Sequence, residues 1–157
     1  MIYFSSLLSM SWLSTTLLID FMVVPLIFRN IPKFFLAGEI GSQLFMKYNR
    51  IELLFITLII THLIFFKKNF RHLKWLLLLS SLLLAITLVY NFYLTQRMRE
   101  IGIVWEYVDQ TGQLGTKNIP DVQQAHQEFH RIYIFLDSFK IGFLLILTSL
   151  SLKFKND

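Results

Sequence analysis

Apolar residues dominate four stretches of this chain, and each stretch is long enough to cross a lipid bilayer as a helix. A membrane-crossing helix needs about 20 predominantly apolar residues. The windows that meet this length without clustered charge are residues 5–28, 43–66, 75–95 and 132–152. They predict four membrane-spanning helices in a single domain that covers residues 1–157.

The helical pattern continues beyond the third window and begins before the fourth. Charged residues lie on one face of the segment after the third window. The opposite face carries four apolar residues at helical spacing, Met98, Ile101, Trp105 and Val108. Pro120 followed by Asp121 is typical of a helix start. A helix of about 33 residues is roughly 50 Å long, against roughly 30 Å of hydrocarbon. The predicted fold is all-α, an integral membrane four-helix bundle with helices three and four extended beyond the bilayer on one side.

Composition supports a membrane protein and narrows its chemistry. Of 157 residues, 55% are hydrophobic and 16% charged, too few charges to cover a soluble domain of this size. The chain has no Cys, which excludes disulfides, thiolate metal sites and cysteine nucleophiles. It also has no glycine-rich phosphate loop and no serine nucleophile motif. No catalytic residue is therefore predicted.

The basic residues indicate a membrane partner and leave the orientation open. We attribute the net charge of +5 to bases that flank the membrane, so the predicted partner is the lipid bilayer and not nucleic acid. Four crossings place both termini on one side. That side carries six Lys and Arg, and the other carries eight together with seven acids, Glu52 among them. Residues 67–74 hold four bases and no acid, which favours cytoplasmic termini.

Ionisable residues inside the predicted spans suggest a binding site. A charge at the bilayer centre costs at least about 2.5 to 3.5 kcal/mol, so Asp20, Asp137 and Lys140 need partners. On the fourth helix, polar side chains from His126 onward lie along one face. Similar polar positions occur on the other three helices. Together they predict a polar cleft that binds or passes a small polar or ionic species, formed by Asp20, Gln43, Arg50, Asn91, His130, Asp137 and Lys140.

The same residues also permit a purely structural interpretation. Asp137 and Lys140 are three positions apart on one helix and could neutralise each other. Asp20 could pair with a base on another helix and so fix how the helices align. The candidate bases are Lys47, Arg50 and Lys140.

A metal-dependent membrane enzyme is an alternative. His126 and His130 are four residues apart, the spacing at which two imidazoles on a helix can reach one metal ion. A third ligand could be Asp137, Tyr133 or Glu39, and the spacing does not choose among them. The simpler interpretation is two histidines near the lipid head groups. No cofactor is predicted beyond this possible metal. A haem, which such an enzyme could also use, would need a second histidine at the depth of His62 on another helix, and the sequence places none there.

A further alternative is a helper subunit. The extended third helix would present Ile101, Trp105 and Val108 to a protein partner, or to another copy of the chain in a homo-oligomer.

Several segments resemble a known family. They are residues 28–33, residues 37–45 with Tyr48, and, by placement, residues 90–97 and 129–131. This pattern resembles the transmembrane protein 205-like family of small four-helix membrane proteins, whose domain has no agreed function. The family is distantly similar to copper-resistance D-type membrane proteins, which implies metal handling. The chain departs from the family pattern at Tyr133, where a His is usual, and it has five Met and no Cys to offer copper.

Overall fold

A computed structural model describes residues 2–32, 34–65, 73–111 and 119–153 of the chain. Within these ranges it describes the side chains except those of residues 2–3, 34–35, 104–111, 119–123 and 126. The described backbone is helical almost throughout and contains no strand. Its α-helices are α1 (Ile2–Leu18), α2 (Val24–Asn30), α3 (Phe34–Phe65), α4 (Leu73–Val89), α5 (Thr95–Thr111) and α6 (Ile119–Lys153).

Two π-helical turns join pairs of these helices without breaking them. Ile19–Val23 connects α1 to α2, and Tyr90–Leu94 connects α4 to α5. The residues on either side of both turns keep right-handed helical dihedral angles. Pro25 is the second residue after the first turn, and its missing N–H group removes one regular helical hydrogen bond there. Turns of this kind occur frequently at functional sites.

Within the described ranges, four continuous helices are long and apolar enough to cross a membrane, as the sequence predicts. We call them the first span (Phe4–Asn30), the second span (Leu36–Phe65), the third span (Leu73–Ile103) and the fourth span (Gln127–Lys153). The helices that contain the last two spans continue past them. The 35 residues of α6 correspond to about 52 Å, which exceeds the roughly 30 Å of a hydrocarbon core. The predicted all-α fold class is therefore confirmed.

The spans pack side by side as an up-and-down bundle. Each span contacts the next one along the chain, and the fourth returns to pack against the first through α6 and α1. This arrangement places the second and fourth spans at opposite corners. A side chain that links these two spans must therefore cross the interior of the bundle.

The apolar core lies on one side of the bundle centre. Apart from Tyr48, its residues lie in the half of each span that is nearer to one end of the bundle. That end holds the start of the first span, Phe65, Leu73 and residue 153. The buried residues of this core are Trp12, Tyr48, Ile56, Ile59, Leu63, Leu76, Leu83, Leu144 and Leu147. Large apolar side chains such as Phe21 and Phe65 are exposed on the outside of the bundle, where lipid would be the solvent. Above the core, towards the extended ends of α5 and α6, the interior becomes polar.

Candidate intramembrane ion site

Lys140 is the centre of the polar interior. It lies on α6 one turn after Asp137 and is only 1% exposed. Its Nζ atom is 2.9 Å from Glu52 Oε1 and 2.5 Å from Asp137 Oδ1. Glu52 belongs to the second span, so this ion pair crosses the bundle between opposite corners. Lys140 thus binds one carboxylate on its own helix and one on a distant helix.

Two tyrosine rings complete the surroundings of the ammonium group. The Nζ atom of Lys140 lies 5.1 Å from the centroid of the Tyr90 ring and 5.9 Å from that of Tyr48. Aromatic faces attract cations, and the attraction grows when water is excluded. These rings stabilise the positive charge at a place where bulk water does not solvate it.

Trp12 holds Glu52 in position. Its indole Nε1 donates a hydrogen bond of 3.0 Å to Glu52 Oε1, the same oxygen atom that contacts Lys140. The indole is parallel to the Phe55 ring within 4°, with the ring centroids 6.2 Å apart. Glu52 Oε2 is buried and has no hydrogen-bond partner among the described residues. One carboxylate oxygen is therefore fully engaged, whereas the other remains available.

Asp20 adds a third carboxyl group from the first π turn. Its side chain faces the carboxyl group of Asp137, and Lys140 and Glu52 also act on it electrostatically. Its Oδ2 atom is buried without a hydrogen-bond partner in the described part of the chain. The first, second and fourth spans each contribute an acid to one place. We call Asp20, Glu52, Asp137 and Lys140 the acidic cluster.

The acidic cluster has more acids than bases. Among the described residues, Lys140 is the one buried cation, and it is surrounded by three carboxyl groups. With all three ionised, the cluster would carry two excess negative charges. Burial of uncompensated charge is strongly unfavourable in a protein interior or a bilayer. The arrangement therefore favours the uptake of additional positive charge.

Hydrogen bonds near the acidic cluster join neighbouring spans to one another. Asn91, in the second π turn, donates a 2.9 Å hydrogen bond to the Asn49 carbonyl and a 3.0 Å hydrogen bond to the Thr87 carbonyl. Asn49 Nδ2 donates to Thr95 Oγ1 at 2.9 Å. The two bonds that involve Asn49 tie the second and third spans together. The hydroxyl groups of Tyr48 and Thr16 share a 2.7 Å hydrogen bond that ties the first span to the second.

An aromatic pair lies on the extended side of the cluster. The Tyr90 hydroxyl donates a 3.2 Å hydrogen bond to the Tyr133 carbonyl, and the two rings are 4.7 Å apart. Phe45 contacts the Tyr133 ring edge-on at 5.1 Å. The Tyr133 hydroxyl is buried and has no hydrogen-bond partner in the described ranges. It is a further polar atom that could bind a ligand or water.

The structure brings together some of the predicted cleft residues and not others. Asp20, Asp137 and Lys140 meet in the acidic cluster, and half-buried Asn91 lies beside it. Three other predicted residues are exposed on the outer surface: Gln43, Arg50 and His130. Gln43 donates a 3.1 Å hydrogen bond to Glu39 on the same outer face.

Glu52 is the main residue that the sequence analysis missed. It counted there as an acid flanking the membrane, but the residue is 0% exposed inside the second span. A signal was available, because Glu52 shares one helical face with the apolar residues Ile56, Ile59 and Leu63. An ionisable residue within a span faces the bundle interior, because lipid does not solvate its charge.

The described residues form no metal site around the predicted histidines. The side chain of His126 lies outside the described residues, and that of His130 is exposed. Across the described side chains there is no group of three or more His, Asp or Glu arranged to hold a metal ion. The side chains of Trp105 and Val108, proposed for partner docking, also lie outside the described residues, while Ile101 is half-buried. The metal and docking interpretations stay predictions.

Comparison with known proteins identifies a family. Residues 7–102 match the model of a domain of unknown function, DUF4149. The chain belongs to the DUF4149 family. The DUF4149 match includes Asp20 and Glu52, whereas Asp137 and Lys140 lie beyond its last residue. No curated protein and no solved structure matches the chain. The DUF4149 match does not bear on the resemblance to the transmembrane protein 205-like family, which stays a prediction.

Proposed function

We propose that this multi-pass membrane protein is not an enzyme and that its acidic cluster binds a small cationic species within the bilayer. The observation that carries the proposal is the set of three carboxyl groups around one buried ammonium group. At an effective dielectric constant of 20, two unit charges 4 Å apart interact by about 4 kcal/mol. A bound positive charge would relieve repulsion of this size among the carboxylates.

The position of the cluster supports binding more than passage through the membrane. Glu52 is 13 positions before Phe65, which places it about 20 Å along the helix from that end. Much of this distance is filled by buried apolar residues such as Ile59, Leu83 and Leu144. On the other side, polar and aromatic residues continue towards the extended helices. We therefore propose that the cationic species enters and leaves from the side of the extended helices.

The experiment measures the unfolding temperature, Tm, of the protein in lipid nanodiscs. A species that binds the folded state and not the unfolded state raises Tm as its concentration rises, by mass action. Added sodium or potassium, or a higher proton concentration, should therefore raise Tm of the wild type relative to that of Asp20→Asn. The control is Glu39→Gln, which removes an exposed acid on the same bundle and should respond as the wild type does.

The comparison between variants decides the result. If the wild type and Asp20→Asn respond identically to every cation and to pH, the acidic cluster does not bind a cation and the proposal is wrong. If one added species raises Tm of the wild type and of Glu39→Gln but not that of Asp20→Asn, that species is the ligand.

A further inference from the structure

The bound species in the acidic cluster can be narrowed further. We infer that it is a proton, carried by Asp20 and shared with Asp137. This inference rests on the proposed function, because it names the ligand of the same site. It also assigns one residue as the group that takes up and releases the ligand.

Lys140 disfavours a metal cation. Its ammonium group already contacts Glu52 Oε1 and Asp137 Oδ1, so these two oxygen atoms are not free to bind a metal ion, and Glu52 Oε2 and Asp20 Oδ2 remain. A second cation between these carboxylates would lie within a few ångströms of the ammonium group and be repelled by it. The described residues also contain no group of three or more His, Asp or Glu with the geometry for a metal. A ligand without coordination requirements fits this site better.

A proton would allow the carboxyl groups of Asp20 and Asp137 to form a hydrogen bond with each other. Two ionised carboxylates only accept hydrogen bonds, so they repel each other when they face one another. A proton converts one of them into a donor that bonds to the other. Asp137 Oδ1 already contacts the Lys140 ammonium group, whereas Asp20 Oδ2 is buried without a hydrogen-bond partner among the described residues, so the proton belongs on Asp20. One of the two excess negative charges is then removed.

Asp20 is also the most exposed carboxyl group of the cluster. Glu52 is 0% and Asp137 9% exposed, whereas Asp20 is half-buried in the π turn. The charged groups that act on Asp20 are Asp137 and Lys140 from α6 and Glu52 from α3. In the uptake step, hydronium transfers its proton to the Asp20 carboxylate, an O–H bond forms and water leaves. Release reverses this step and regenerates the carboxylate.

Infrared spectroscopy of the protein in nanodiscs tests the inference at neutral pH. A protonated carboxyl group has a carbonyl stretching band that ionised carboxylates lack. The protein is prepared with and without carbon-13 in the aspartate carboxyl groups. Among its five Asp residues, only Asp20 and Asp137 lie in the membrane spans. We expect a band at neutral pH that shifts on aspartate labelling, is lost in Asp20→Asn and is kept in the control Glu39→Gln.

The wild-type measurement suffices if Asp20→Asn does not fold, because the labelled aspartates identify the band. A wild type without the band at neutral pH, or with a band that aspartate labelling does not shift, overturns the inference. In that case sodium or potassium is added and Tm is measured. A rise in Tm that Glu39→Gln shares and Asp20→Asn lacks would leave the proposed cation site standing with a metal cation as ligand. No rise would overturn the proposed function as well.

Discussion

At the scale of single residues, the acidic cluster depends on donors that contact particular carboxylate oxygens. Trp12 is the clearest case, because its indole N–H is directed at Glu52 Oε1 while its ring packs against Phe55. Replacing Trp with Phe keeps an aromatic ring at the position, removes the hydrogen-bond donor and makes the buried ring smaller.

We predict that Trp12→Phe destabilises the protein by about 1 to 3 kcal/mol, because a buried charged acceptor loses a donor. The measurement is the free energy of unfolding in detergent, from denaturant titration. The matched control is Trp75→Phe, since Trp75 is 61% exposed at the start of the third span. Equal losses for the two variants would mean that the Trp12 hydrogen bond contributes nothing specific.

At the scale of helices, the two π turns lie at the depth of the acidic cluster. The first carries Asp20, and the second carries Tyr90 and Asn91, so both supply residues to the polar interior. Asn91 joins its own span to the second span through the Asn49 carbonyl. The third span thereby supports the helix that holds Glu52, without contributing a charge itself.

We expect Asn91→Leu to cost about 1 kcal/mol, because hydrogen bonds between membrane helices contribute on the order of 0.6 to 2 kcal/mol. Leucine has a similar size, so the loss reports the hydrogen bond more than the packing. The free energy of unfolding in detergent is measured beside Ser81→Ala, a change at an exposed position of the same span. A cost no larger than that of Ser81→Ala would show that this bond does not join the spans.

At the scale of the whole molecule, four spans in an up-and-down bundle place the two ends of each span on opposite faces of the membrane. The third span can be marked at both ends. Lys74 and Arg99 are exposed at its two ends, and the natural chain has no Cys to interfere with labelling.

We predict that Lys74→Cys and Arg99→Cys react with a membrane-impermeant maleimide from opposite sides of sealed vesicles. One variant should be labelled before the vesicles are permeabilised and the other only afterwards. Labelling of both from the same side would contradict the membrane crossing of the third span. The cysteine-free wild type is the control for background reaction.

Much of this molecule could be predicted from its sequence, because a bilayer constrains helix length and the cost of charge. The length of the apolar windows predicted four spans, and helical periodicity placed Asp137 and Lys140 on one face. Periodicity does not say which face of a helix turns inward. The polar face of the second span that contains Gln43 and Arg50 points outward, and the face with Glu52 points inward.

The contact of Asp20 with Asp137 could not be predicted either. It joins residues 20 and 137, which only the packing of the first span against the fourth brings together. A local pattern contains no information on such a contact. The cost of a buried charge predicted that Asp20 needs a partner, and the sequence offered Lys47, Arg50 and Lys140 for that role. The structure places Asp20 in one cluster with Lys140, but against the carboxyl group of Asp137.

The ion pair between Glu52 and Lys140 also has a consequence for biosynthesis. The ribosome completes the second span well before the fourth, so Glu52 enters the membrane when its cationic partner has not yet been made. Trp12, from the first span, is available earlier and can bind Glu52 in the interval. Arrival of the fourth span then supplies the ammonium group. A nascent chain interrupted before Lys140 would carry an acid in lipid without its counter-charge, a feature by which cellular quality control could distinguish incomplete chains.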